Sequence, residues 1–473
     1  MIKFEQRKIY LYFLYPLATV VFIILSIFFI LSAKGYVFVY DDGIKVEKTG
    51  MIIVSTNPTG AQIYLDGKNQ SKSTVPFLST NLNNLKKGKY TLSLEKNGFY
   101  TWQKELSVYP EMVTWANYAL LFSRNPKISK TDFSGKLINS LNSKDNKGSI
   151  FLTQSADNEL IYLVNNSDDS KTDIFETAKM KPEERISGIS IIAWSDDRRN
   201  LLVRGMKGPD AQYYLINTEN KSAQNISGTF LVNLDGVKFN PSNSDEAFAL
   251  EGGILSKINF SSKSLQKFTE QNIIYYTLSQ DGNIYYIQQD KNGTRSLWQA
   301  KTDFTGKAII TDGIPTSDGY DMKISSQNQR VALRTKDNTL YLITQEDNKE
   351  MLIVMGKDIS EFEWSPDGNR IIYKNNESVK DFELVDYKKE SREYLITNGN
   401  GLTKFTWYDN DHLLAEKADG RIEVMDFDGE NEINLASSAP GTNFFFSADN
   451  HNINFFSKAH DTGFTLSRYV TEF

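Results

Sequence analysis

Phe362-Glu363-Trp364-Ser365-Pro366-Asp367-Gly368-Asn369-Arg370-Ile371-Ile372-Tyr373 reads as two apolar strand segments joined by a polar turn. Pro presets φ for the turn, and Gly takes a left-handed conformation there without strain. The stretch decides the fold because it recurs. Weaker copies are Ala193-Trp194-Ser195-Asp196-Asp197 before Leu201-Leu202-Val203, and Thr277-Leu278-Ser279-Gln280-Asp281-Gly282 before Ile284-Tyr285-Tyr286. Further copies are Leu152–Asp157, Val237–Pro241, Lys323–Gln327, Phe405–Asp409 and Phe445–Asp449. Aligned on Ser365, they fall at 155, 195, 240, 279, 325, 365, 408 and 447, with spacings of 40, 45, 39, 46, 40, 43 and 39 residues.

A period of this length with several short strands in it predicts a β-propeller. Each repeat supplies an apolar inner strand, the turn, a second strand, a third such as Asp381–Tyr387, and a polar outer strand. The Trp or Phe before the turn reads as packing between neighbouring blades. Eight copies predict eight blades, or seven if one faint copy is an insertion. The last copy ends soon after its third strand, Phe464–Val470, so its fourth is expected from Pro126–Phe133. That closure would remove the free sheet edges. Trp364-Ser365-Pro366-Asp367-Gly368 resembles the repeats of TolB-like and related WD40-like propellers, and the repeat covers residues 124–473.

Upstream, residues 51–122 read as short, sharply punctuated strands near Met51–Ser55, Ala61–Leu65, Tyr90–Glu95, Thr101–Val108 and Thr114–Leu121. Asn57-Pro58-Thr59-Gly60 is a turn, Asp66-Gly67 closes a hairpin, and Asn97-Gly98 marks another turn. The run Ser55-x-x-Pro58-x-Gly60-Ala61-x-x-Tyr64-x-Asp66-Gly67 resembles the opening of a PEGA domain. Val75-Pro76, Leu85-x-x-Gly88-x-Tyr90 and Lys96-x-Gly98-Phe99-x-x-Trp102 resemble its later landmarks. Thr59 stands where the family's namesake motif has Glu. The resemblance implies a compact extracytoplasmic β-sandwich, with no enzyme activity and no binding site to carry over.

The N-terminus is of another kind. Ile9–Ala33 holds 25 residues without a charge, long enough to span a bilayer core as a tilted helix. Tyr10, Tyr12 and Tyr15 at one end, and Tyr36 and Tyr40 beyond the other, fit interfacial aromatic belts. Pro16 is expected in the first turns of the helix, where a missing N–H matters least. Lys3, Arg7 and Lys8 against Glu5 leave the N-terminus in the cytoplasm and the rest outside. A cleaved signal peptide ending near Leu31-Ser32-Ala33 is the rival reading, but its apolar stretch would be far too long. The expected organisation is a cytoplasmic tail (1–8), a transmembrane helix (9–33), a linker (34–50) with a turn at Asp41-Asp42-Gly43, a PEGA-like β-sandwich (51–122) and a β-propeller (124–473). The fold class is thus an all-β ectodomain on one N-terminal transmembrane helix.

Composition narrows the function. A net charge of -6 offers no basic stripe for nucleic acid. The absence of Cys excludes disulfides, thiolate metal sites and Cys nucleophiles. There is no Gly-x-Ser-x-Gly elbow and no room for the α/β domain that propeller peptidases carry. His412 and His451 take matching places after the last two turns; they read as surface or inter-blade hydrogen-bonding residues sooner than as a metal pair. Asp426-x-Asp428-Gly429-Glu430-Asn431-Glu432 is oxygen-rich but lacks calcium-loop spacing, so it reads as a hairpin turn. Ser365-Pro366-Asp367-Gly368 is one residue too tight for a sialidase-type Asp box. Trp102, Trp115 and Trp298 are read as packing residues before sugar platforms. Asp41-Asp42, Asp168-Asp169 and Asp196-Asp197 read as solvated turns. No catalytic, cofactor or metal residue is assigned. The expectation is a membrane-anchored extracytoplasmic binding or scaffold protein, not an enzyme, whose propeller meets an envelope protein or polysaccharide. The alternative is a propeller glycosidase or polysaccharide lyase with rim carboxylates, and a third reading makes the chain a subunit of an envelope assembly.

Overall fold

Strand-forming residues dominate nearly everywhere after the first 35, and the computed structural model is accordingly one long helix followed by β-structure. It describes the chain apart from residues 1, 34, 41–43, 76–77, 327–329, 347–348, 385–391, 397–400, 440–441, 450 and 472–473. For 2–13, 31–33, 37–40, 44–46, 345–346, 349–351 and 392 it gives the backbone alone. Two compact units result, Met1–Asn125 and Pro126–Thr471.

In the first unit a helix runs from Ile2 to Ala33. It starts before the expected span, so Pro16 lies well inside it and not in its first turns. From Leu14 to Ile30 every side chain is exposed except half-buried Ser26. Among the described residues no helix is long and apolar enough to cross a membrane. The expected 9–33 span, its flanking charges and its tyrosines at 10 and 12 fall partly on side chains outside those described. The expected linker holds an antiparallel hairpin, Tyr36–Tyr40 with Ile44–Lys48, whose turn at 41–43 lies outside the described residues.

The sandwich follows. One sheet orders Thr80–Leu85, Gly50–Asn57 and Val113–Leu120, the central strand antiparallel to the first and parallel to the last. The other is antiparallel: Lys68–Ser73, Gln62–Leu65, Gly88–Glu95 and Trp102–Val108. Strict alternation along Trp102–Val108 sends Trp102, Lys104, Leu106 and Val108 inward. With Ile52, Val54, Ile63, Leu92 and Leu94, the apolar members fill one core. The hairpin at Asp66-Gly67 has positive φ at both residues (49° and 73°), the two-residue turn that its sequence signals. Lys68–Ser73 and Thr80–Leu85 have too few apolar residues to be read from sequence. Pro76 lies outside the described residues.

The second unit is a series of consecutive four-stranded antiparallel sheets with a propeller's strand order. They occupy residues 136–176, 187–225, 238–267, 273–312, 320–356, 361–396 and 402–437. In the last, Phe444–Phe446, Asn452–His460 and Gly463–Val470 take Lys127–Ser134 as their fourth strand. Lys127 pairs with Val470 and Phe133 with Phe464, as the closure expectation required. Phe133 stacks on Phe464 at 4.8 Å, and Phe151, Phe445 and Phe456 join them in a core shared by the first and last sheets. Comparable apolar clusters lie between other successive sheets.

The repeated turn joins the first and second strands of each sheet. In Ser195–Asn200, the Ser195 hydroxyl donates to the Asp197 carboxylate at 2.7 Å and accepts the Asn200 amide at 2.9 Å. Ser365, Asp367 and Arg370 repeat this, as do Ser447, Asp449 and Asn452. The hydroxyl thus satisfies a buried amide while the Asp fixes the hydroxyl. Gly368 has φ +69°, and a Cβ there would lie 2.9 Å from the Ser325 Cβ of the preceding turn.

This pattern corrects one copy. Ser155 ends the second strand of the first sheet, pairing with Asn158. The true equivalent is Ser143, which donates to Asp145 at 2.7 Å and accepts the Gly148 amide at 3.0 Å. It precedes Ser195 by 52 residues, because two 3-10 turns, Thr177–Lys179 and Pro182–Glu184, lengthen the connection to the second sheet. The expected 40-residue spacing was a coincidence of that insertion. The third strand expected at Asp381–Tyr387 runs Val379–Glu383, and residues 385–390 lie outside the described ones.

Candidate functional site

Alternation also fixes what the first strand of each sheet presents. In two sheets the residue before the turn is a buried Trp: Trp364 and Trp407 pack inward, and their indole N–H groups reach back to the Lys323 carbonyl (3.0 Å) and the Glu363 carbonyl (3.3 Å) of the preceding sheet. That is the inter-sheet role expected of these residues. Two positions before the turn stand Lys238, Thr277, Lys323, Glu363 and Thr406. These polar residues reach their counterparts on neighbouring sheets. Lys238 donates to the Tyr276 carbonyl (3.1 Å), Lys323 to the Phe362 carbonyl (2.7 Å), and Thr406 to the Glu363 carboxylate (3.0 Å). Lys404 extends the arc to the Thr442 carbonyl and the Asn443 amide oxygen at 2.8 and 2.6 Å. Asn443 in turn donates to Ser140 in the first sheet at 2.8 Å.

Within this arc lies a cavity of about 750 Å³. Its wall mixes amides (Asn142, Gln280, Asn410), rings (Phe444, Phe446) and charges (Lys144, Glu361, Lys404). Half-buried Glu363 stands in this wall. Burial pushes its pKa up, against the pull of Lys323 and the Thr406 hydroxyl. Glu361 and Glu363 stand on the same face of one strand, side by side. The space can hold a ligand of polar-and-ring character, with amides to read hydroxyl or peptide groups and rings to stack against them. Polar residues two places before the turn in five successive sheets, of which Glu363 and Thr406 line the cavity, are a signal that sequence reading passed over.

The residues singled out from sequence disperse. His412 is buried, its Nδ1 2.8 Å from the Asp409 carboxylate and its Nε2 3.6 Å from Asp426. Burial works against its charged form, but Asp409, Asp426 and Asp411 outweigh it and raise the pKa. Tyr408 stands here in place of the turn Ser, and Asp409 caps the Asp411 and His412 amides instead. His451 is exposed, so the two aligned histidines occupy unlike surroundings. Residues 426–432 form the hairpin turn expected, with Gly429 at φ +81° and Asn431 donating to Asp426. Among the described residues no cluster of three or more His, Asp or Glu is set to hold a metal.

Trp102 is core, Trp298 is half-buried beside Tyr286, and Trp115 is 56% exposed. Asp196 is paired with Lys144, as expected of a turn residue, but Asp169 is 5% exposed, so its reading as a solvated turn is corrected. Burial pushes Asp169 up to about 6, with Arg468 3.5 Å away opposing. Sequence reading also missed Arg370, which spans Asp381 (2.8 Å) and Glu383 (3.0 Å) and lies 3.7 Å from the Phe427 ring centroid.

Residues 49–123 match the PEGA domain. No curated protein matches the chain. Among solved structures it is similar to the C-terminal WD40 domain of Sif2, at 13% identity over 72% of this chain and 98% of that one, with a TM-score of 0.44. An oligogalacturonate lyase in complex with manganese is 13% identical over 72% and 98%, TM-score 0.40. TolB from Acinetobacter baumannii is 15% identical over 57% and 60%, TM-score 0.32. The propeller architecture itself follows from the repeat and the strand order.

Proposed function

We propose that the chain is a membrane-anchored, extracytoplasmic binding protein whose eight-bladed propeller takes an envelope protein or polysaccharide at the inner-strand cavity. The cavity carries this reading: its wall sets amides beside the Phe444 and Phe446 rings, with Gln280 exposed at its edge. The main alternative is a glycosidase or lyase, which needs carboxylates facing one another across the substrate. Glu361 and Glu363 stand abreast on one strand, and Asp409 is engaged by His412. Binding is the simpler use of such a wall.

The anchor half of the reading rests on the N-terminal helix. Its apolar side chains are exposed all round from Leu14 to Ile30, which water disfavours and lipid does not. Thr19 and Ser26 turn their hydroxyls onto carbonyls four residues back, satisfying them within the helix. The basic residues at the N-terminal end of the helix, Lys3, Arg7 and Lys8, favour a cytoplasmic N-terminus.

Detergent-solubilised full-length protein is used to capture partners from envelope fractions, read by mass spectrometry and glycan analysis. A ligand held by the wild type and lost with Glu361→Lys and Gln280→Lys, both exposed at the cavity, supports the reading. A ligand held equally by both proteins moves the site elsewhere. Turnover of a captured polysaccharide would favour the enzyme alternative.

A further inference from the structure

The sandwich carries an unusual surface at one end. Tyr109 is 51% exposed, Met112 56%, Val113 39% and Trp115 56%. All four lie on the loop and strand that follow Val108. Trp115 is the most exposed of the six tryptophans, and a monomeric domain gains nothing by leaving such residues in water.

Their position relative to the apolar helix is set by a short chain of contacts. The Gly35 carbonyl, two residues past the helix, accepts from both the amide (2.9 Å) and the hydroxyl (2.6 Å) of Thr49. The Thr49 carbonyl accepts the Glu111 amide at 2.9 Å, and the Met51 amide donates to Met112 at 3.2 Å. Gly50 is pressed so closely against this loop that a Cβ would meet the Tyr109 carbonyl at 2.3 Å. Lys48 pairs with Glu111 at 2.9 Å. Loop 109–113 is therefore fixed to the segment that leaves the helix.

Cations share that end. Gly50 pairs with Leu85, so exposed Lys86 and Lys87 follow directly beside it, with Lys48 nearby. Lys86 lies 3.7 Å from Glu47. Tyr, Trp and Met beside Lys is the composition of a surface in a bilayer's headgroup region: ring bodies enter the acyl boundary while ammonium groups meet phosphates.

We propose that Tyr109, Met112, Val113 and Trp115, flanked by Lys48, Lys86 and Lys87, form a lipid-contacting face that seats the PEGA-like domain on the outer surface of the membrane. The proposal rests on the anchor reading above. It adds that the domain lies on the bilayer and is not a free spacer.

Full-length protein is reconstituted into vesicles of phosphatidylcholine with a fifth of phosphatidylglycerol, with and without acyl chains brominated near the headgroup. The wild type is expected to lose part of its tryptophan emission to the brominated lipid. Trp115→Phe, whose exposed site leaves the core intact, is expected to lose that quenched component. Near-UV circular dichroism confirms that the variant is folded. Equal quenching of the two proteins, while both resist carbonate extraction, overturns the docking and leaves the anchor standing. Release of the wild type by carbonate overturns the anchor, and the docking with it.

Discussion

The sandwich of residues 50–120 and the ring of residues 127–470 are both built from short strands, but they guard their interiors differently. The sandwich has one core, in which Trp102 and Leu94 from one sheet meet Ile52 and Ala116 from the other. The ring has a succession of smaller cores, each shared by two neighbours, stitched by turn hydroxyls and by inner-strand lysines. In the first case the architecture is carried by a single apolar volume. In the second it is carried by repetition, and each sheet depends on the one beside it.

The sharpest way to separate the two is to empty one core of each. Trp102→Ala and Phe456→Ala should each cost about 3–5 kcal/mol. In urea titrations followed by unit-specific proteolysis, Trp102→Ala is expected to expose the sandwich and leave the ring protected, and Phe456→Ala the reverse. Simultaneous loss of both units from either variant would break the contrast. Next in size is the stitching itself. Gly368→Ala forces a left-handed φ and a clash with Ser325, so it should lower the ring's stability by about 1–3 kcal/mol. An unchanged urea midpoint would remove the turns from the account.

Charge inside the ring gives a smaller, pH-dependent effect. His412 has a folded pKa raised above its unfolded value of 6.5, so folding retains a proton there. Its contribution is full below about pH 6.5 and is lost as pH rises through the folded value, by no more than about 1.4 kcal/mol per pH unit. Asp381, pushed up to about 7 by burial against Arg370, adds a fall of the same sign between its unfolded value of 3.8 and pH 7. His412→Gln is expected to flatten the stability profile above pH 6.5 only, measured by urea midpoints from pH 5 to 9. The weakest link tested is the exposed pair of Lys144 with Asp196, at 2.8 Å. Lys144→Ala should change stability by less than about 1 kcal/mol, and less again in high salt.

Much of this fold was legible, for a physical reason. Turn geometry demands particular residues, so Ser-x-Asp-Gly marks the repeats and Asp66-Gly67 the sandwich hairpin. Closure by residues 127–134 followed from counting strands. What misled was spacing without geometry: Ser155 fitted the period and has Asp157 two residues on, yet it is the Ser143 hydroxyl that donates to an Asp two residues on and accepts an amide five residues on. The candidate site was far less legible, because its wall is gathered from five sheets and no segment contains it. Half-buried Asp409 and buried His412 and Asp426 were visible as residue types, but strand pairing of His412 with Asp426 is what brings them together.

The closing strand also sets a timetable. Asp132 receives its hydrogen bond from Thr465, 333 residues later in the chain. At about 5–20 residues per second, roughly half a minute of synthesis separates the two. Through that interval Lys127–Ser134 waits with an unpaired edge, and the first sheet lacks the neighbour that covers Phe151. A message cut short anywhere before residue 463 would leave that edge without its partner for good. Such a product would be sticky sooner than merely shorter, which makes Gly463–Val470 as necessary to the ring as any strand before it.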